Sequence, residues 1–129
     1  MNRNRKFIRL DTCLKCEYDY LRAGEEIKGE GVVLDISGGG VKMVSKERIA
    51  VNRETNLTLE FPDGALKIKG EVLKSKIEWY ISDEEKKTFW ATSLTFKDIS
   101  LQERKKIIQY VHDCAQEKRE ARYKNPRKK

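Results

Sequence analysis

The chain has 129 residues, 38% of them apolar and 38% charged, with a formal net charge of +7. That composition allows one domain with a single core and a heavily charged surface, and it excludes two separate cores. No apolar run approaches a membrane span and no apolar signal segment follows the first six residues, so a cytoplasmic protein without a membrane span is expected.

The charge is unevenly placed. Residues 1–9 carry +4 through Arg3, Arg5, Lys6 and Arg9, residues 118–129 carry +6, and the body between them is at −3. A nucleic-acid-binding barrel spreads its Lys and Arg over the binding face instead. No nucleic-acid partner is expected.

Residues 1–5 read as a flexible basic leader, 6–117 as a single domain and 118–129 as a basic disordered tail. From Phe7 to about Tyr20, the residues Ile8, Leu10, Leu14, Cys16, Tyr18 and Tyr20 alternate with polar ones, the period of a strand with one buried face. Arg22–Glu26 reads as a loop. Strands over about Gly29–Ile36 and Gly40–Val44 flank Ser37-Gly38-Gly39. Leu57, Leu59 and Phe61 alternate, Pro62-Asp63-Gly64 turns the chain, and Leu66 to about Ile77 returns as the second arm of a hairpin. Residues 77–87 read as a polar excursion holding Trp79 and Tyr80. The last strand covers about Thr88–Phe96, with Phe89, Ala91, Leu94 and Phe96 as core candidates. Five or six strands joined by turns suggest a mainly β fold, a small antiparallel barrel.

The period then changes. Ser100-Leu101-Gln102-Glu103 has the pattern of a capping box, and Leu101, Ile107, Ile108, Val111, Cys114 and Ala115 recur at three- and four-residue spacing. One amphipathic helix over about 101–119, laid on the barrel, is predicted, with His112 as a surface residue beside its apolar face.

Cys13, Cys16 and Cys114 are an odd set, expected as free thiols. Cys13-Leu14-Lys15-Cys16 spells C-x-x-C. Residues three apart on a strand point to opposite faces, however, and tetrahedral zinc asks for four convergent ligands. No metal site is expected. Nor is an enzyme, since the chain shows no nucleophile–base pair, no P-loop and no H-E-x-x-H.

Two short pieces bear on binding. Arg5-Lys6-Phe7-Ile8-Arg9 sets two arginines four apart, and Asp35-Ile36-Ser37-Gly38-Gly39-Gly40 joins a carboxylate, a hydroxyl and three glycines at one sharp turn. Glycine allows positive φ or close backbone approach. Arginine presents a planar fork that matches phosphate, can stack on a base, and can donate to guanine O6 and N7. The carboxylate accepts, which suits the N1–H and amine of guanine and not the N1 acceptor of adenine. The set is coherent for a phosphorylated guanine nucleotide. On the residues alone another reading stays open, because Asp-x-Ser-x-x-Gly is also an ordinary hairpin turn whose side chains satisfy its own amides.

Together, and in this order, the two pieces resemble the PilZ domain family, whose marks are R-x-x-x-R followed by D/N-x-S-x-x-G. Leu57–Gly64 with Lys69–Val72 looks like the family's central hairpin, and Ser93–Ser100 with the helix looks like its closing strand and C-terminal helix. The resemblance covers residue 3 to about 115. It implies a six-stranded antiparallel β-barrel with one C-terminal amphipathic α-helix. It further implies a non-catalytic receptor for the bacterial second messenger cyclic di-GMP, held as a ligand with no cofactor. Carried over, Arg5 and Arg9 clamp phosphates and guanine from a mobile leader, while Asp35, Ser37 and Gly40 recognise guanine. Lys6, Gly38, Gly39 and Ser93 would adjoin the ligand. Family members commonly have glycine early in the closing strand, where this chain has Ser93, so a narrower pocket is expected there. Movement of the leader would then signal to a downstream protein partner. The alternative is a PilZ-shaped protein-interaction module with weak or no ligand binding.

Overall fold

Apolar side chains at every second position draw the chain into strands that share one interior. A computed structural model describes residues 10–81 and 86–124. It shows β1 (Leu10–Arg22), β2 (Glu25–Ile36), β3 (Gly40–Ser45), β4 (Glu54–Phe61), β5 (Gly64–Ile81), β6 (Lys86–Lys97) and α1 (Leu101–Lys124). The six strands pair antiparallel in the order β1-β2-β3-β6-β5-β4, and β4 returns to β1 to close the barrel. Closure gives every strand a neighbour on both sides around the barrel's waist, while the β1–β2 and β5–β6 hairpins run beyond it paired on one side only.

The interior follows the alternation. Leu14, Cys16, Tyr18 and Tyr20 of β1, Leu57, Leu59 and Phe61 of β4, and Leu94 and Phe96 of β6 are all buried. Val33, Ile36, Met43 and Val72 complete the centre, each 0% exposed. Thr92, the buried hydroxyl of β6, meets Ser75 Oγ at 3.1 Å, and among the described residues no buried side-chain polar atom lacks a partner. Among them, too, no helix is long and apolar enough to cross a membrane.

Helix α1 begins at the expected capping box. The Ser100 N–H donates to Glu103 Oε1 at 2.9 Å, and the Glu103 N–H donates to Ser100 Oγ at 3.0 Å. Ile107 and Val111 enter the core, and the Tyr110 ring meets Phe61 edge-on at 4.9 Å with its hydroxyl 2.8 Å from Thr12 Oγ1. Leu101 and Ile108 stay out, at 71% and 42% exposure. The helical turn explains this: they are seven apart on one stripe, and each residue is rotated about 100° from the next, so Ile107 and Ile108 cannot share a face.

Several boundaries differ from the sequence reading. The loop expected at Arg22–Glu26 shrinks to Ala23-Gly24, with φ of 52° and 83°, and β2 starts at Glu25. The polar excursion expected over 77–87 is mostly strand, because β5 runs to Ile81 and β6 starts at Lys86, paired from Ile77↔Trp90 to Ile81↔Lys86. A hairpin can extend by backbone hydrogen bonds without burying side chains, and polarity does not report that. The helix continues to Lys124, past the expected end near 119, so the first part of the tail placed at 118–129 is helical. Phe7 and Ile8, expected to open the first strand, lie outside the described residues.

Candidate functional site

Two breaks in strand register decide which charges face out of the barrel. On β2, Val33 and Ile36 both point inward although they are three apart, because the pairing with β3 shifts between Val33 and Asp35. Leu34 is the extra residue and bulges outward, 39% exposed. Without it Asp35 would share the inner face with Val33. With it, Asp35 stands on the outer face opposite Lys42. On β5 the pairing shifts between Val72 and Lys74. Val72 is fully buried, Leu73 is 59% exposed, and Lys74 and Lys76 then fall on the outer face.

The registers set these residues in a row. Asp11 of β1 lies opposite Asp35, Asp35 opposite Lys42, Lys42 opposite Ser93, and Ser93 opposite Lys74. Lys76 sits on the next outward position, opposite Ala91. Over this face lies a depression of about 360 Å³ whose lining includes Asp35, Ser37, Lys42, Lys74, Lys76 and Ser93. Carboxylates stand at one end of the row and ammonium groups at the other.

The turn at its edge is held on several sides. The Ser37 N–H donates to the Gly40 carbonyl at 2.9 Å and the Gly39 N–H to Ser37 Oγ at 3.1 Å. The Gly39 carbonyl accepts from the Phe96 N–H at 2.9 Å and from Thr95 Oγ1 at 3.3 Å. From α1, Arg104 Nε–H donates to the Gly38 carbonyl at 3.0 Å. Ser37 therefore plays the role of the ordinary turn reading, accepting from an amide two residues on. Its hydroxyl proton can still be donated to an acceptor in the depression.

Gly38, Gly39 and Gly40 do not take positive φ; among the described glycines, Gly24 and Gly64 do. Close approach accounts for Gly40, where an added β-carbon would lie 2.2 Å from the Leu94 carbonyl oxygen.

Of the residues singled out in the sequence, Asp35, Ser37, Gly39, Gly40 and Ser93 line the one depression. Gly38 is buried behind the turn, and Arg5, Lys6 and Arg9 lie outside the described residues. Ser93 lies in the floor, half-buried, between Lys42 and Lys74. The sequence reading passed over Lys42, Lys74, Lys76 and Arg104. Lys74-Ser75-Lys76 did have the period of a strand face, but which face depends on the bulge.

The model of the PilZ domain family matches residues 3–113. Among solved structures, the chain is similar to the PilZ domain with c-di-GMP of YcgR from Escherichia coli, at 14% identity and TM-score 0.71, covering 92% of this chain and 98% of that one. The MrkH–c-di-GMP complex of K. pneumonia is 18% identical with TM-score 0.69, covering 92% of this chain and 55% of that one. The inhibitor of motility MotI/DgrA of Bacillus subtilis is 17% identical with TM-score 0.64, covering 90% and 53%. The chain thus spans nearly all of the isolated YcgR domain but about half the length of MrkH and MotI. At these identities the likeness speaks to the fold. Comparison with curated proteins gave no match.

Proposed function

The chain belongs to the PilZ domain family, and from that premise we propose that it is a non-catalytic receptor for cyclic di-GMP. The observation that carries this reading is the Asp35-Ile36-Ser37-Gly38-Gly39-Gly40 turn at the rim of an outward depression, with Arg5 and Arg9 upstream in the sequence. Asp35 offers acceptors for the N1–H and exocyclic amine of guanine. Ser37 offers a hydroxyl proton to a base or phosphate acceptor. Arg5 and Arg9 supply planar donors for phosphate, and their flat faces suit stacking on a base. The solved complexes of YcgR and MrkH with c-di-GMP support the choice of ligand.

Hydrogen bonds to charged groups contribute about 1.5–3 kcal/mol each, and a few of them together with arginine–base stacking would reach the roughly −8 kcal/mol of micromolar binding after the cost of ordering the leader. Occupancy would be read through the leader and passed to a downstream protein. Isothermal titration with cyclic di-GMP is the direct test. Arg5→Ala and Arg9→Ala should each weaken binding about tenfold or more while the thermal melt stays unchanged. Wild-type affinity in both variants would remove the clamp, and no heat from the wild type would leave a PilZ-shaped interaction module.

A further inference from the structure

The acidic-to-basic row on the barrel wall has more to it than the turn motif uses. Lys42 and Lys74 flank Ser93 from its two neighbouring strands, and Lys76 stands two residues beyond Lys74 on the same face. Adjacent strands are about 4.8 Å apart, so the three ammonium groups sweep one small area. Among the described residues, the ion pairs of this part of the sheet are Lys97 with Glu54 at 3.6 Å and with Glu71 at 3.9 Å; the three lysines are in none. Grouping like charges costs energy unless an anion answers them. The β5 bulge puts Lys74 and Lys76 there, since regular pairing would turn Lys74 to the core face with Val72.

We propose that Lys42, Lys74 and Lys76 form a phosphate-binding wall, a subsite for the phosphodiester of the ligand on the rigid barrel, distinct from the arginines of the leader. The inference rests on the cyclic dinucleotide reading and adds a direction to it. The base edge, rich in donors, lies toward Asp35. The phosphate oxygens lie toward β5 and β6, where they accept from the ammonium groups. Lysine suits this place because its charge sits at the end of a long flexible stem and adapts to either phosphate oxygen. A wall of this kind also makes affinity fall with added salt.

Calorimetric titration with cyclic di-GMP at low and high sodium chloride tests it on three proteins. The first is the wild type and the second Lys74→Gln with Lys76→Gln. The third is Lys28→Gln with Lys67→Gln, which removes the same charge from another groove, beside Tyr18 and Gly29. The Lys74/Lys76 variant should bind about tenfold more weakly and lose part of the salt dependence, and the Lys28/Lys67 variant should bind as the wild type. Should the double variant melt early, Lys42→Gln alone carries the same expectation. Wild-type affinity in the Lys74/Lys76 variant overturns the wall and leaves the receptor intact. Equal losses in both double variants also overturn it, in favour of general attraction. A wild type that gives no heat overturns the receptor reading itself, and the wall with it.

Discussion

An alanine at position 40 would place its β-carbon 2.2 Å from the backbone carbonyl oxygen of Leu94, and 3.2 Å from Thr95 Cα. Neither obstacle is a flexible side chain, so the strands β3 and β6 would have to part. Overpacking of this kind costs about 1–3 kcal/mol. Gly40→Ala should therefore lower the melting temperature by several degrees and weaken ligand binding as well, because the same shift displaces the turn. Unchanged melting would show that β3 and β6 can separate freely at this point. The cysteines show a similar dependence on place. Cys16 is 1% exposed and its thiol lies 3.2 Å from Met43 Sδ, whereas Cys13 is exposed. They end on opposite sides of the wall, as a C-x-x-C on a strand should.

At the scale of elements, Arg104 links α1 to the turn. Arg104 reaches from the first turns of the helix to the Gly38 carbonyl, 66 residues away in sequence. It is a positioning residue: it holds the turn rather than facing the depression. Arg104→Ala should speed amide exchange at Gly39 and weaken cyclic di-GMP binding severalfold, while Arg104→Lys, which keeps the charge but not the Nε–H, should rescue it only in part. Wild-type exchange at Gly39 in the alanine variant would mean that Thr95 and Phe96 suffice to hold the turn. The two bulges are also properties of elements. Each inserts one residue on one strand and reverses the facing of everything beyond it, which puts Asp35 and Lys74 on the same outer wall.

For the molecule as a whole, burial in the closed barrel makes two groups hold their protons to higher pH than they would in water. Burial pushes the Cys16 thiol up to about 12, and burial with the neighbouring Glu47 carboxylate pushes the Tyr18 hydroxyl up to about 12. Tyr18 also donates to Glu47 Oε1 at 3.1 Å. Both groups hold their protons more tightly folded than unfolded, where their values are 9.0 and 10.0. Their contribution to stability is thus fully present below about pH 9 and is lost as pH rises toward 12. Urea midpoints should be level across neutral pH and fall steadily above about pH 9. A midpoint that holds level there would contradict the burial of these two groups.

Alternation, turn residues and the capping box are local, and each was legible in the chain. Leu57, Leu59 and Phe61 point inward as their spacing required, and Ser100 and Glu103 bond each other as their separation required. The order of the motif residues around Asp35 was equally plain. What the sequence could not decide was the facing of Asp35, Lys74 and Lys76. A bulge is a count of residues on one strand against its partner, so it exists only once two strands are paired. The reason for glycine at position 40 and the reach of Arg104 to Gly38 are of the same kind. Both depend on backbone brought close by barrel closure, and no pattern within a single strand or helix contains that information.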